Sequence, residues 1–262
     1  RHIMKTLNLD PVLINTTEKN NFQPTPTDLS RYNINGLLIA SPGNPTGSMI
    51  DREPLEALVN YCADRKVSLI SDEIYHGIQY SMQPSTVLEF SDNCYIINSF
   101  SKYFSMTGWR IGWIVVPKEH VRIVERIQQN MFICASHASQ IVALGAFESK
   151  GELEKNLETY KENRKKLLNA LPEIGLSNLA PPDGAFYLYI DISEFSSDSY
   201  DFTKRMLDIG GVAITPGIDF DPVNGKSMIR ISYARSTPEI LTCLLYTSDA
   251  ADEGLGVDLG GR

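Results

Sequence analysis

The sequence lacks both a long apolar run and a cluster of basic residues, and each absence excludes a class of protein. No stretch of the 262 residues is apolar enough to cross a bilayer, which takes roughly 20 consecutive apolar residues. The formal net charge is −8, and Lys and Arg are nowhere gathered as contact with nucleic-acid phosphates requires. Because 42% of the residues are hydrophobic, the chain can bury a sizeable core. We therefore expect a soluble globular protein without a membrane or nucleic-acid partner.

The cysteines are few and scattered, and they form no Cys-x-x-Cys pair. This spacing fits neither a zinc site nor a disulfide framework. It favours buried free thiols in a reducing cytosol, and we therefore predict a cytoplasmic location. The cysteines are Cys62, Cys94, Cys134 and Cys243.

Short apolar runs alternate with helical patterns, which predicts an α/β fold. After the first run, Asp51 is placed to cap a helix in which Leu55, Leu58, Val59 and Cys62 share one face. Apolar strands separated by helices predict a mostly parallel sheet that helices flank on both faces. The strand-like runs are 36–40, 67–71, 94–98 and 111–116.

The second half of the chain mixes helical and strand-like patterns, which predicts a smaller α+β C-terminal domain. A helical pattern covers 117 to about 149, and a second one carries leucines at helical spacing from Leu153 to Leu171. We place the boundary near residue 150, so that 1–150 form part of a large domain and 151–242 form the small one. Later segments with strand or helix patterns are 185–191, 200–209, 212–214 and 228–233.

Polar segments of distinct composition follow the predicted strands, at the edge where open α/β sheets bind their ligands. Each alone is a weak signal, because such a loop is usually a turn, an Asp after a strand often caps a helix, and a lone Lys is usually solvated. A fifth segment contains Arg230 inside an apolar run, where a charge needs a partner. The segments are 41–47 (Ser-Pro-Gly-Asn-Pro-Thr-Gly), 71–75 (Ser-Asp-Glu-Ile-Tyr), 99–102 (Ser-Phe-Ser-Lys), 107–112 (Thr-Gly-Trp-Arg-Ile-Gly) and 228–233 (Met-Ile-Arg-Ile-Ser-Tyr).

Together and in this order, the segments resemble the class I/II, fold-type I aminotransferases, the family that includes aspartate aminotransferase. The resemblance runs from about Asn33 to Glu239. It implies the cofactor pyridoxal 5′-phosphate, amino acid and 2-keto acid substrates, and a homodimer with active sites at the subunit interface. It also implies that the large domain is the one that binds the cofactor.

The resemblance gives a role to each residue around the cofactor ring. Lys102 matches the lysine that forms a Schiff base with the cofactor aldehyde. Asp72 matches the carboxylate beside the ring nitrogen, where an opposite charge favours the protonated ring that this cofactor needs to stabilise a carbanion. Tyr75 and Asn44 match the residues that hydrogen-bond the ring's phenolic oxygen.

The resemblance also implies where the phosphate and the substrate bind. Ser99, Ser101 and Arg110 match the phosphate ligands, and the planar fork of an arginine suits phosphate oxygens. Arg230 matches the arginine that binds the substrate α-carboxylate, and Asn44 is implied to contribute to substrate binding. The alternatives are a surface ion pair for Arg110 and a structural buried salt bridge for Arg230.

The implied activity is transfer of an amino group from an amino acid to a 2-keto acid, with Lys102 as the general base that moves the proton. Two alternatives stay open, because the same residues serve carbon–sulfur lyases and because some bacterial transcription regulators carry an aminotransferase-like effector domain. Ser99 and Lys102 also fit the Ser-x-x-Lys of penicillin-binding enzymes, and Ser91-Asp92-Asn93 fits their second motif. The motif order and the lack of a downstream Lys-Thr-Gly argue against serine acyl transfer.

Both ends of the sequence depart from the family pattern. The chain starts at Arg1 without an initiating Met, and the family's phosphate loop and ring-stacking aromatic residue have no match, so we expect an N-terminal truncation. The segment from Cys243 to Glu253 resembles the translation of a transposase adapter used in DNA sequencing libraries. We therefore expect 243–262 to be a non-native tail, and weak or no turnover from the chain as it stands.

Overall fold

The first sheet is mostly parallel in the computed structural model, which describes residues 2–238 and 240. Its strands are β1 (Gly36–Ala40), β2 (Ser68–Asp72), β3 (Tyr95–Ser99) and β4 (Gly112–Val115). They lie in the order β1-β2-β3-β4; β2 pairs in parallel with β1 and β3, and β4 runs antiparallel to β3. Each strand lies within one residue of the run predicted for it, which confirms the α/β fold.

The second sheet is small and antiparallel. Its strands are β5 (Tyr187–Asp191), β6 (Thr215–Pro216) and β7 (Met228–Ser232), in the order β5-β7-β6. The predicted pattern at 212–214 is not a strand, because pairing with β7 begins only at Thr215. The predicted boundary near residue 150 stays a prediction.

The helices of the described residues are α1 (His2–Thr6), α2 (Pro26–Leu29), α3 (Arg52–Arg65), α4 (Val121–Met131), α5 (His137–Glu148), α6 (Lys150–Ala170) and α7 (Ser199–Gly210). The helical pattern predicted from 117 to 149 is thus two helices. The chain leaves the helix between them, where Ile133 has φ +64°, a value outside the right-handed helical region.

Helix α3 packs its apolar side on one face of the first sheet, and its buried residues are the four that the sequence placed together. Asp51 occupies the N-cap position, but its side chain makes no capping hydrogen bond, so that part of the prediction is wrong. Coverage of the other face is incomplete, since Leu38 and Ile97 remain 50% and 37% exposed. Successive side chains of β1 point to opposite faces, so Leu38 is exposed while its neighbours Leu37 and Ile39 are buried.

The second core lies between the small sheet and its helices. Leu188 and Ile190 of β5 pack with Leu167 of α6, Phe202 of α7 and Ile229 of β7, and all are at most 4% exposed. Leu167, one of the leucines at helical spacing in the predicted long helix, therefore packs in the core of the small sheet.

The predictions about cysteines and membranes have mixed outcomes. Cys62 and Cys94 are buried free thiols as predicted, whereas Cys134 is free but exposed. Cys243 and the predicted tail, 243–262, lie outside the described residues. Among residues 2–238 and 240, no helix is both long and apolar enough to cross a membrane.

Candidate active site

The carboxyl ends of the three parallel strands bring three of the predicted segments side by side. Ala40 lies beside Asp72 in the β1–β2 register, and the Ser41 amide donates to the Asp72 carbonyl at 3.2 Å. Asp72 in turn lies beside Ile97, two residues before Ser99. Segments far apart in sequence therefore meet at one sheet edge, which is where the sequence predicted the site.

Asn44 lies on a loop after β1 that its own hydrogen bonds close. The Gly43 amide donates to the Ser48 carbonyl and the Gly47 amide to the Gly43 carbonyl, both at 2.9 Å. Gly47 has φ +72°, and a Cβ there would lie 3.0 Å from the carbonyl oxygen of Gly184. Only glycine adopts this backbone and allows this approach at no cost. The loop that carries Asn44 is thereby fixed against the chain that enters the small sheet.

Asp72 is the last residue of β2, and Tyr75 lies on the turn that follows it. The Ile74 amide donates to Asp72 Oδ1 at 3.2 Å. Burial raises the pKa of Asp72, while this hydrogen bond and the Lys102 amine act to lower it. Tyr75 is 3% exposed, and its hydroxyl lies 2.9 Å from that of Tyr187. Burial and then this hydrogen bond raise the pKa of Tyr75, so its phenol stays protonated.

Lys102 lies in a turn directly after β3. The Ser101 amide donates to Ser99 Oγ at 3.0 Å, and the Ser105 amide donates to the Lys102 carbonyl at 3.0 Å. These bonds orient the lysine so that its Nζ lies 5.4 Å from the centre of the Tyr75 ring.

The positive charge of Lys102 is only weakly balanced by neighbouring negative charge. Among the described residues its amine forms no ion pair. Burial lowers the pKa of Lys102, Arg230 lowers it further, Asp72 raises it, and Arg110 lowers it. Burial and the two guanidinium groups together outweigh the single carboxylate, so the pKa of Lys102 lies below that of a free lysine.

The predicted phosphate ligands lie on one short segment. Arg110 is exposed, has φ +52°, and donates from Nη1 to the Thr107 carbonyl at 3.1 Å. Thr107 Oγ1 donates to the Ser101 carbonyl at 2.7 Å, which ties the arginine to the turn with Ser99 and Lys102. No acidic residue of the described chain pairs with Arg110, so the alternative of a surface ion pair has no support there.

Arg230 reaches from β7 into the same site. Its Nη1 donates to Asn44 Oδ1 at 2.7 Å and its Nη2 to Thr215 Oγ1 at 3.2 Å. Its buried Nε has no hydrogen-bond partner among the described residues. No carboxylate of the described residues pairs with it, so the predicted alternative of a structural salt bridge is not found within them.

Aromatic residues that the sequence analysis missed complete the surroundings of Arg230 and Lys102. The Arg230 guanidinium lies 4.4 Å from the Tyr187 ring centre and 4.6 Å from that of Phe220. Phe186 lies 5.9 Å from Lys102 Nζ. The one available signal was a tyrosine in an apolar strand, because a buried phenol requires a hydroxyl partner.

The site brings together Asn44, Asp72, Tyr75, Lys102 and Arg230 and holds Ser99, Ser101 and Arg110 on the adjoining turn. Among the described residues, no group of three or more His, Cys, Asp and Glu side chains could hold a metal ion. An amine of lowered pKa, a neighbouring carboxylate and unpaired guanidinium groups are suited to an anionic ligand and to proton transfer.

Known proteins are similar to this chain in sequence and in fold. The chain is 44% identical over 246 residues to valine–pyruvate aminotransferase of Mycobacterium tuberculosis, covering 92% of this chain and 63% of that protein. It is 38% identical over 209 residues to (5-formylfuran-3-yl)methyl phosphate transaminase of Methanocaldococcus jannaschii, covering 78% of this chain and 54% of that protein. The chain thus spans about three fifths of the length of such relatives.

A solved structure of an aminotransferase from Mycobacterium tuberculosis superimposes with a TM-score of 0.94 at 42% identity, covering 97% of this chain and 67% of that one. The family described as aminotransferase class I and II matches residues 1–245. The chain therefore belongs to the class I and II aminotransferase family.

Proposed function

We propose that the protein containing this chain transfers an amino group from an amino acid to a 2-keto acid, using pyridoxal 5′-phosphate bound to Lys102. The observation that carries this proposal is that Lys102 and Arg230 lie in one site, and that neither has an ionic partner among the described residues. An amine that lacks a counterion is available for a bond to an aldehyde, and an arginine that lacks one is available for a carboxylate.

The residues of the site fit the cofactor. The guanidinium of Arg110 and the hydroxyls of Ser99 and Ser101 would hold the phosphate, and Asp72 would hold the protonated ring nitrogen. Tyr75 and Asn44 would lie at the ring oxygen. When bound, the cofactor supplies an electron sink for the carbon that loses its proton.

Lys102 is suited to move that proton. Burial and the neighbouring guanidinium groups favour its neutral amine, which is the form that can accept a proton from the substrate. The Asp72 carboxylate acts in the opposite direction and raises the pKa of Lys102. The protonated amine is therefore also accessible and can return the proton. Tyr75 stays a neutral donor because its pKa is raised.

Arg230 is suited to bind the α-carboxylate. Asn44 and Thr215 hold its two terminal nitrogens, and two aromatic rings lie over it. Within the part of the chain that the structure describes, the N–H of its buried Nε has no partner. A carboxylate that accepts from this N–H would also neutralise the charge. The names of the two relatives above contain different substrates, and binding of the α-carboxylate by Arg230 does not restrict the rest of the substrate.

The proposal is tested on the full-length protein that contains this chain. After loading with pyridoxal 5′-phosphate and reduction with borohydride, peptide mass spectrometry should find the cofactor on Lys102. Lys102→Ala should abolish the adduct and the activity, whereas Lys165→Ala, on the exposed side of α6, should change neither. Adding valine, alanine or aspartate should convert bound cofactor to its aminated form and release the corresponding keto acid.

Two results would contradict the proposal. A cofactor adduct on a lysine other than Lys102 would show that the site is wrongly assigned. Release of ammonia, pyruvate and a thiol from an amino acid that carries sulfur on its β-carbon, without accumulation of aminated cofactor, would indicate a carbon–sulfur lyase in place of a transferase.

A further inference from the structure

Tyr187 contacts two residues to which different ligand groups are assigned. Its hydroxyl lies 2.9 Å from that of Tyr75, and its ring centre lies 4.4 Å from the Arg230 guanidinium carbon. Tyr187 is 6% exposed on β5, and its ring packs edge-on against that of Tyr75 at 5.8 Å. It therefore has no freedom to move without disturbing both neighbours.

The contact between the two hydroxyls has a direction once the cofactor is considered. A phenol carries a single hydrogen and can donate only once. If Tyr75 donates to the ring oxygen of the cofactor, its contact with Tyr187 requires the hydrogen of Tyr187. Donation into the Tyr75 oxygen polarises that hydroxyl and strengthens its own donation.

We propose that Tyr187 is a positioning residue that couples the two halves of the site: its hydroxyl donates to Tyr75, and its ring orients Arg230. The proposal rests on the proposed function, in which Tyr75 binds the cofactor ring oxygen and Arg230 the substrate carboxylate. One side chain thus adjusts the protonation of the Lys102-bound cofactor with its hydroxyl and the binding of the substrate with its ring.

Tyr187→Phe isolates the hydroxyl, because it keeps the ring over Arg230. A weaker donation from Tyr75 leaves the ring oxygen more basic, so the nitrogen that joins Lys102 to the cofactor should hold its proton to higher pH. The spectral titration midpoint of the bound cofactor in the full-length protein should rise by roughly 0.3–1 pH unit. The KM for the amino acid should stay within about twofold of wild type, since the cation–π contact is retained.

Tyr187→Leu removes the aromatic ring as well as the hydroxyl. The difference between this variant and Tyr187→Phe therefore measures the contribution of the ring. Tyr187→Leu should produce the same spectral shift and, in addition, weaken the binding of an amino acid by roughly 3- to 10-fold. Tyr189→Phe is the matched control. Tyr189 lies two residues away on β5 and is 4% exposed, and its hydroxyl has no hydrogen-bond partner in residues 2–238 and 240. This control should leave the titration midpoint and the KM unchanged.

A double variant guards against a general loss of structure. If the two hydroxyls act in series, Tyr75→Phe/Tyr187→Phe should shift the midpoint no further than Tyr75→Phe alone. Additive shifts, or an equal shift in Tyr189→Phe, would overturn the proposal. So would an unmoved midpoint in Tyr187→Phe when the wild type titrates normally. A wild-type protein without a titrating Lys102-bound cofactor would overturn the proposed function, and the role of Tyr187 with it.

Discussion

Replacing Arg230 with Met tests the substrate grip most directly. The change keeps an unbranched side chain but removes the guanidinium. It takes away the donors to Asn44 and Thr215 and the buried Nε. The carboxylate of an amino acid would then be left in the site without its cation.

The expected loss of binding is large. Truncating one partner of a hydrogen-bonded charge pair costs roughly 2–5 kcal/mol, which corresponds to a factor of about 30 to 5,000 in affinity. Stability should fall by much less. Within the described residues Arg230 has no ionic partner, so its removal leaves no carboxylate buried alone.

The assay is equilibrium binding to the full-length, cofactor-loaded protein. A 2-methyl amino acid is suitable, because it carries the carboxylate but has no α-proton to transfer. Arg122→Met is the matched control, since the Arg122 guanidinium pairs with Glu125 at 3.0 Å on the surface and its side chain is 67% exposed. The control should bind the ligand as the wild type does.

The opposite pattern of results would refute this reasoning. If Arg230→Met binds the 2-methyl amino acid normally but loses about 3–5 kcal/mol of unfolding free energy, the arginine belongs to a buried structural pair. Loss of both binding and cofactor absorbance would indicate that Arg230 holds the cofactor and not the substrate.

Three further predictions concern backbone, charge and thiol reactivity. Gly112→Ala should lower the melting temperature by several degrees in a thermal scan, because its Cβ would lie 2.5 Å from a β3 carbonyl oxygen; Gly145→Ala, which meets nothing within 4 Å, should not. Lys102→Met should raise the melting temperature of cofactor-free protein at neutral pH by roughly 1–3 °C. Because the pKa of Lys102 is lowered in the folded state, its positive charge destabilises the folded protein at pH values below that pKa. This destabilisation fades as the pH rises above the folded-state pKa, so the difference in melting temperature between variant and wild type should shrink in alkaline buffer. In folded protein a thiol reagent should modify the exposed Cys134 rapidly and spare Cys62, whose pKa burial raises to about 11, until denaturant is added.

The elements of the fold were predictable where a periodic pattern met a turn signal. β1 ends at a Pro/Gly/Asn loop and matches its predicted run. The side of α3 that packs on the sheet was visible in the spacing of its apolar residues. The break between α4 and α5 was not, because the left-handed residue there is Ile133, and the sequence around it has no Gly or Pro to mark an interruption.

The candidate site was predictable only in part, for a physical reason. Asp72 ends a strand, Asn44 and Lys102 lie in the loops that follow strands, and the topology of a parallel sheet brings such positions together. Tyr187 lies within a strand, where an aromatic residue is ordinarily a packing residue. Its contacts with Tyr75 and Arg230 connect the site residues of the two sheets. A local sequence pattern does not predict which side chains of two different sheets will be in contact.

The charges of the site explain why so much of it is held by uncharged groups. Asp72 is the carboxylate whose field reaches Lys102, and Arg230 and Arg110 oppose it. A second acidic residue beside Arg230 would neutralise that arginine and compete with a substrate carboxylate for the same donors. Asn44 and Thr215 orient the guanidinium without supplying negative charge, and the rings of Tyr187 and Phe220 stabilise the cation through their faces. Arg230 can therefore be fixed in place and still carry its full charge to a ligand.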